Sequence, residues 1–128
     1  MIQGDLPFFE SPEDAIRAAV QALGGSKRVG AALWPDKGPE AAARLLMDCL
    51  NPSRPEKLDI SQVLHILRMA HETGYHAPML WLAQQCGYEA RPVTKSEEHD
   101  RIVAVIDQAA KTLAMAMKQL ERLRGEGK

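Results

Sequence analysis

The 128-residue chain has a formal net charge of -1, with 26% charged and 45% hydrophobic residues, which allows one compact domain plus an appended element and excludes a basic tail or a disordered acidic segment. No apolar run reaches the roughly 18 residues that a membrane span needs, and residues 1–10 lack the positively charged start of a secretory signal. A cytoplasmic protein without a membrane partner is expected.

Residues 1–10, with Gly4, Pro7 and the pair Phe8 and Phe9, read as an N-terminal arm whose aromatics tuck onto the body. Ser11 as N-cap, Pro12 at the first helical position and Asp14 three residues past the cap open a first helix, with Ile16, Ala19, Val20 and Leu23 as its apolar stripe. Gly24 and Gly25 close it. Ser26 reads as the cap of a short second helix ending at Leu33, which offers Val29, Ala32 and Leu33 to a core and carries Lys27 and Arg28 in its first turn. Cations there oppose the helix dipole, so they fit either an anionic partner or simple solubility.

Pro35, Gly38 and Pro39 make residues 34–38 a turn, and Pro39 suits the first position of a third helix. That helix, 39–50, buries Ala42, Leu45, Leu46 and Cys49 or Leu50, and leaves Glu40, Ala41, Arg44 and Asp48 on the opposite face. The run Asn51, Pro52, Ser53, Arg54, Pro55 stops it. Asp59 and Gln62 have the spacing of a capping box and start a fourth helix to about Glu72, with Ile60, Val63, Leu64, Leu67 and Ala70 inward. A fifth helix covers about 78–86, with Met79, Leu80, Leu82 and Ala83 inward and Trp81 half-buried, and Gly87 ends it.

Residues 89–95 contain Pro92 and read as a linker. Beyond it, over 96–124, Ile102, Ile106, Ala109, Leu113, Ala116, Leu120 and Leu123 recur in alternating steps of four and three, the heptad rhythm of a coiled coil. Ser96, with Glu98 nearby, reads as its start. Val103, Val105, Ala110 and Met117 widen the stripe beyond a two-stranded seam, so the helix either folds back onto its own domain or, the favoured reading, associates with other copies as a dimer or tetramer. The domains expected are thus an arm at 1–10, a helical domain at 11–88, a linker at 89–95 and an oligomerisation helix at 96–124.

Catalytic and metal-binding patterns are absent from the sequence. Cys49 and Cys86 lie in apolar helical patterns without the paired spacing of zinc or redox motifs, and both read as small buried hydrophobes. His65, His71, His76 and His99 are scattered, with no two at the i, i+4 spacing that puts two ligands on one helix face. Glu72 beside His71, and Glu97, Glu98 and His99 in a row, are neighbours whose side chains diverge by about 100° on a helix, and they read as solvated charge. No glycine loop for phosphates is present. Neither enzyme activity, nor a cofactor, nor a metal, nor a small-molecule ligand is expected.

Two helices of about eight and twelve residues joined by a glycine-containing turn, with one helix before and two after, match a five-helix domain built on a helix-turn-helix. Between Gly24 and Leu58 the six cations Lys27, Arg28, Lys37, Arg44, Arg54 and Lys57 face the four anions Asp36, Glu40, Asp48 and Glu56, a local excess of +2 in a chain of -1. In a DNA-bound pose, with Ser26 at the start of the second helix also in the interface, Lys27, Arg28, Arg54 and Lys57 meet phosphates while Lys37, Glu40, Ala41 and Arg44 face base edges, Arg44 being able to pair bidentately with guanine; each charge also reads as ordinary surface charge, the preferred reading for Glu40. One copy with so small an excess binds weakly, and dimerisation doubles the contacts.

The stretch Ser26-Lys27-Arg28-Val29-Gly30-Ala31-Ala32-Leu33, a third helix ending in Cys49-Leu50-Asn51-Pro52, and Arg54-Pro55-Glu56-Lys57-Leu58 leading into a helix resemble the phage regulatory protein CII family. The similarity covers roughly 14–88. It implies a lambda-repressor-like helix-turn-helix, sequence-specific binding of double-stranded DNA by a prophage-type transcriptional regulator, and a C-terminal segment for self-association. The turn at 34–39 is bulkier than the family's, with two prolines. The alternative is a helical protein–protein interaction module, an antirepressor or adaptor that has lost DNA binding.

Overall fold

The structure, a computed structural model, describes residues 8–126. Six α-helices account for its regular structure, and no strand occurs among the described residues. They are α1 (Pro12–Ala22), α2 (Ser26–Leu33), α3 (Pro39–Cys49), α4 (Ile60–Glu72), α5 (Ala77–Gln85) and α6 (Lys95–Glu126). The chain divides into two compact units, Met1–Pro92 and Val93–Lys128. Most of the N-terminal arm lies outside the described residues. No helix among those described is long and apolar enough to cross a membrane.

Local chemistry sets the helix ends. Ser11 Oγ accepts from the Asp14 amide at 3.1 Å and Pro12 occupies the first turn of α1. At the other end the Gly25 amide donates to the Val20 carbonyl (2.9 Å) and the Gly24 amide to Gln21 (3.1 Å), a closure that needs φ of +108° and +104° at the two glycines. The same motif ends α4 at Gly74 and α5 at Gly87. The capping box of α4 is complete, with Gln62 N to Asp59 Oδ1 at 2.8 Å and Asp59 N to Gln62 Oε1 at 2.9 Å.

The first unit closes on Ile16, Ala19, Val20, Val29, Leu46, Leu50, Ile66 and Ala70. α2 packs most extensively on α3, while α1 packs on α4 and α5. Arg17 ties α1 to the end of α3: its guanidinium donates to Asp14 Oδ1 at 2.7 Å and to the Leu50 carbonyl at 2.6 Å. That carbonyl belongs to the last turn of α3, where a cation complements the unpaired acceptors.

Several side chains sit differently from the sequence reading. Ser26 is the first helical residue of α2 and not its cap, because the tight link needs a positive φ (+104°) at the cap position, which Gly25 adopts. Ile60 (79% exposed) and Leu64 (49%) face outward, while Ile66 is fully buried. The buried arc of α4 is centred between Ile66 and Ala70, and Ile60 and Leu64 lie about 100° and 140° around the helix from it. Ala32 is exposed. Trp81 is buried, with Phe9 edge-on to its ring at 5.8 Å between centroids.

Of the two cysteines Cys49 is buried but Cys86, the C-cap of α5, is exposed. Burial raises the Cys49 thiol pKa, reinforced by the charges of Glu56 and Asp48 and opposed by Lys57. An aromatic disulfide reagent at pH 8 should therefore titrate one thiol per native chain and two after denaturation. Immediate reaction of two native thiols would contradict this arrangement.

The second unit is α6, 32 residues and so about 48 Å long. It begins one residue before the expected linker boundary. Thr94 Oγ1 accepts from the Glu97 amide (3.1 Å) and Glu97 Oε1 from the Thr94 amide (3.2 Å), so this capping box and not Ser96 with Glu98 starts the helix. Its apolar stripe is exposed: Ile102, Ile106, Leu113, Leu120 and Leu123 are all more than half accessible.

Candidate nucleic-acid interface

The α2–α3 pair is fixed by a close backbone approach. A Cβ placed on Gly30 lies 2.9 Å from the Ala42 carbonyl carbon, 3.0 Å from its oxygen and 3.1 Å from the Ala43 nitrogen. These are backbone atoms of α3, which cannot move aside singly. Only a residue without a side chain lets α2 seat this deeply, and Val29 and Leu46 on either side are both buried.

With the pair held, the candidate residues separate by what they touch. Lys27 reaches across to Glu40 at 3.5 Å, both side chains exposed, so the first turns of α2 and α3 adjoin. Neither helix has a side-chain cap, and no acid sits in the first turn of α2. Amide donors at both N-termini are thus left to solvent or to an anion. Arg28 lies against Gly24, 2.9 Å from the position of a Cβ there. Arg28, Lys37 and Arg44 are exposed and make no ion pair among the described residues. Arg44 shares the outer face of α3 with Glu40, Ala41 and Met47.

Arg54 and Lys57 are engaged elsewhere. The Arg54 guanidinium contacts Asp48 at 3.6 Å and Glu56 at 3.4 Å, while Lys57 Nζ donates to the carbonyls of Arg54 (2.6 Å) and Asn51 (3.3 Å). The Glu56 carboxyl is lowered in pKa chiefly by a backbone hydrogen bond, with the Arg54 and Lys57 charges adding to it against the effect of burial. These residues brace the loop after α3. The structure therefore joins Lys27 with Glu40 and Arg54 with Asp48, leaves Arg28, Lys37 and Arg44 open, and gives Ser26 no capping bond.

Sequence reasoning missed Arg17 and the role of Gly30. A glycine inside a helix costs about 1 kcal/mol against alanine, and that cost was the available signal. It also missed the tilted contact of His71 with His76, 5.3 Å between ring centroids. No group of three or more histidine, cysteine or carboxylate side chains among the described residues is arranged to hold a metal. Comparison with protein-family models, curated proteins and solved structures gives no match to this chain.

Proposed function

We propose that this chain is a DNA-binding transcriptional regulator of phage type, whose α2–α3 pair is a lambda-repressor-like helix-turn-helix and which works as a homo-oligomer through α6 in the cytoplasm, without cofactor or catalysis. The observation that carries the reading is the open set Arg28, Lys37 and Arg44 on a helix pair locked by the Gly30 contact. A rigid pair with unpaired guanidinium and ammonium groups suits phosphate binding, and uncapped N-termini beside them add amide donors. Arg44, one turn into α3, is the side chain best suited to reach a base edge.

The test is fluorescence anisotropy with a generic duplex at two salt concentrations. Binding should be measurable at low salt and weaken steeply as salt rises, each phosphate contact adding about 0.9 to the logarithmic slope. Arg28→Ala and Lys37→Ala should flatten that slope. Absence of binding at low salt, or wild-type binding by Arg28→Ala, Lys37→Ala and Arg44→Ala alike, would sink the proposal.

A protein–protein interaction module is the second reading. It is favoured by the exposed Ile60 and Leu64 on α4 and by the engagement of Lys27, Arg54 and Lys57 within the chain. It predicts no salt-dependent DNA binding at all.

A further inference from the structure

We infer that α6 pairs with the α6 of a second copy running in the opposite direction. This rests on the self-association part of the proposed function and specifies its geometry. In the heptad register of α6, Ile106, Leu113 and Leu120 hold one seam position and Ile102, Ala109, Ala116 and Leu123 the other. A parallel pair sets like against like. Ala109 then meets Ala109 and Ala116 meets Ala116, leaving two layers underfilled, while the isoleucine and leucine layers between them are full. Reversing one helix brings the two seam positions face to face. With the pair centred near Lys111, Ile106 lies opposite Ala116 of the second copy, Leu113 opposite Ala109, and Leu120 opposite Ile102. Large side chains then fill the space that small ones leave, as dense packing requires.

The flank of the seam agrees. Val103, Ala110 and Met117 occupy one flanking position and Glu98, Val105, Thr112 and Gln119 the other. In a parallel pair the first set faces the second, apolar against mixed polar. In an antiparallel pair the first set faces itself, so Val103 meets Met117 and Ala110 meets Ala110, and the extra apolar width of the exposed stripe is covered.

Charge points the same way. Over residues 95–110 Lys95 and Arg101 stand against Glu97, Glu98, Asp100 and Asp107, a net of -2. Over 111–126 Lys111, Lys118, Arg122 and Arg124 stand against Glu121 and Glu126, a net of +2. The antiparallel pair lays the acidic half of one helix along the basic half of the other, whereas the parallel pair lays acidic half along acidic half. The helix dipoles also oppose one another.

Spin labels on the full-length protein test this, in a Cys86→Ser background with Cys49 left in the core. One label goes at Ser96→Cys and, separately, one at Lys111→Cys on the side away from the seam; pulsed electron–electron distances are measured and mass is taken by light scattering. In the antiparallel dimer two labels at 96 are about 45 Å apart along the axis, whereas two at 111 sit level with each other. Similar separations at both sites would mean a parallel pair and overturn the inference while leaving self-association standing. A monomeric mass with no interchain distance would overturn self-association itself.

Discussion

Replacing Gly30 by alanine is expected to destabilise the first unit by about 1–3 kcal/mol, the range for overpacking a filled site, even though alanine ordinarily gains about 1 kcal/mol over glycine inside a helix. The reversal of sign is the diagnostic. An added methyl meets the carbonyl carbon of Ala42 at 2.9 Å, so α2 must lift from α3, drawing Val29 from its contact with the core that contains Leu46. Urea unfolding followed by circular dichroism checks it, with exposed Ala31→Gly as the control that reports helix propensity alone. If Gly30→Ala raises the unfolding midpoint, the close approach does not exist. Because the same lift reorients α3, DNA binding should fall in this variant at protein concentrations where it remains folded.

Placing charge in the seam of α6 is expected to have the larger effect on binding. Leu113→Glu with Leu120→Glu keeps two good helix formers in a helix already exposed at those positions, so the helix content and the first unit should be unchanged. Mass should fall to that of one chain. Affinity for a duplex carrying two binding sites should drop by about 100-fold or more, since linked sites gain 10²–10⁴ over single ones. A monomeric variant that binds as tightly as the parent would show that one helix pair suffices.

What the sequence made legible follows the range of the forces involved. Ser11 with Asp14 and Asp59 with Gln62 were readable because a cap is completed within four residues. Before α6 two such patterns overlap, Ser96 with Glu98 and Thr94 with Glu97, and the second wins since it satisfies two amides reciprocally. In α4 the apolar run contains Ile60, Val63, Leu64, Ile66 and Leu67, so periodicity finds the helix but not which side meets α1. Packing decides that, and it chose Ile66.

The candidate site was harder to read, because counting cations does not show which are neutralised. Lys27 is thirteen positions from Glu40 and Arg54 six from Asp48, and only the folded chain brings each pair within 4 Å. The same folding leaves Arg44 open although Glu40 stands one turn away on its own helix. Electrostatic reach is thus narrower than the local excess of charge suggests, which is why the proposed DNA contact leans on a second copy.

The division of packing within the first unit sets an order for its synthesis. α2 and α3 are neighbours in sequence and pack on each other, so their pair can form once about residue 50 has left the ribosome. α1, made before them, packs chiefly on α4 and α5 and lacks those surfaces until residue 85 has emerged. Of these helices α1 thus precedes most of its own packing surface, and its stripe of Ile16, Ala19 and Val20 is fully covered only when α4 and α5 are in place.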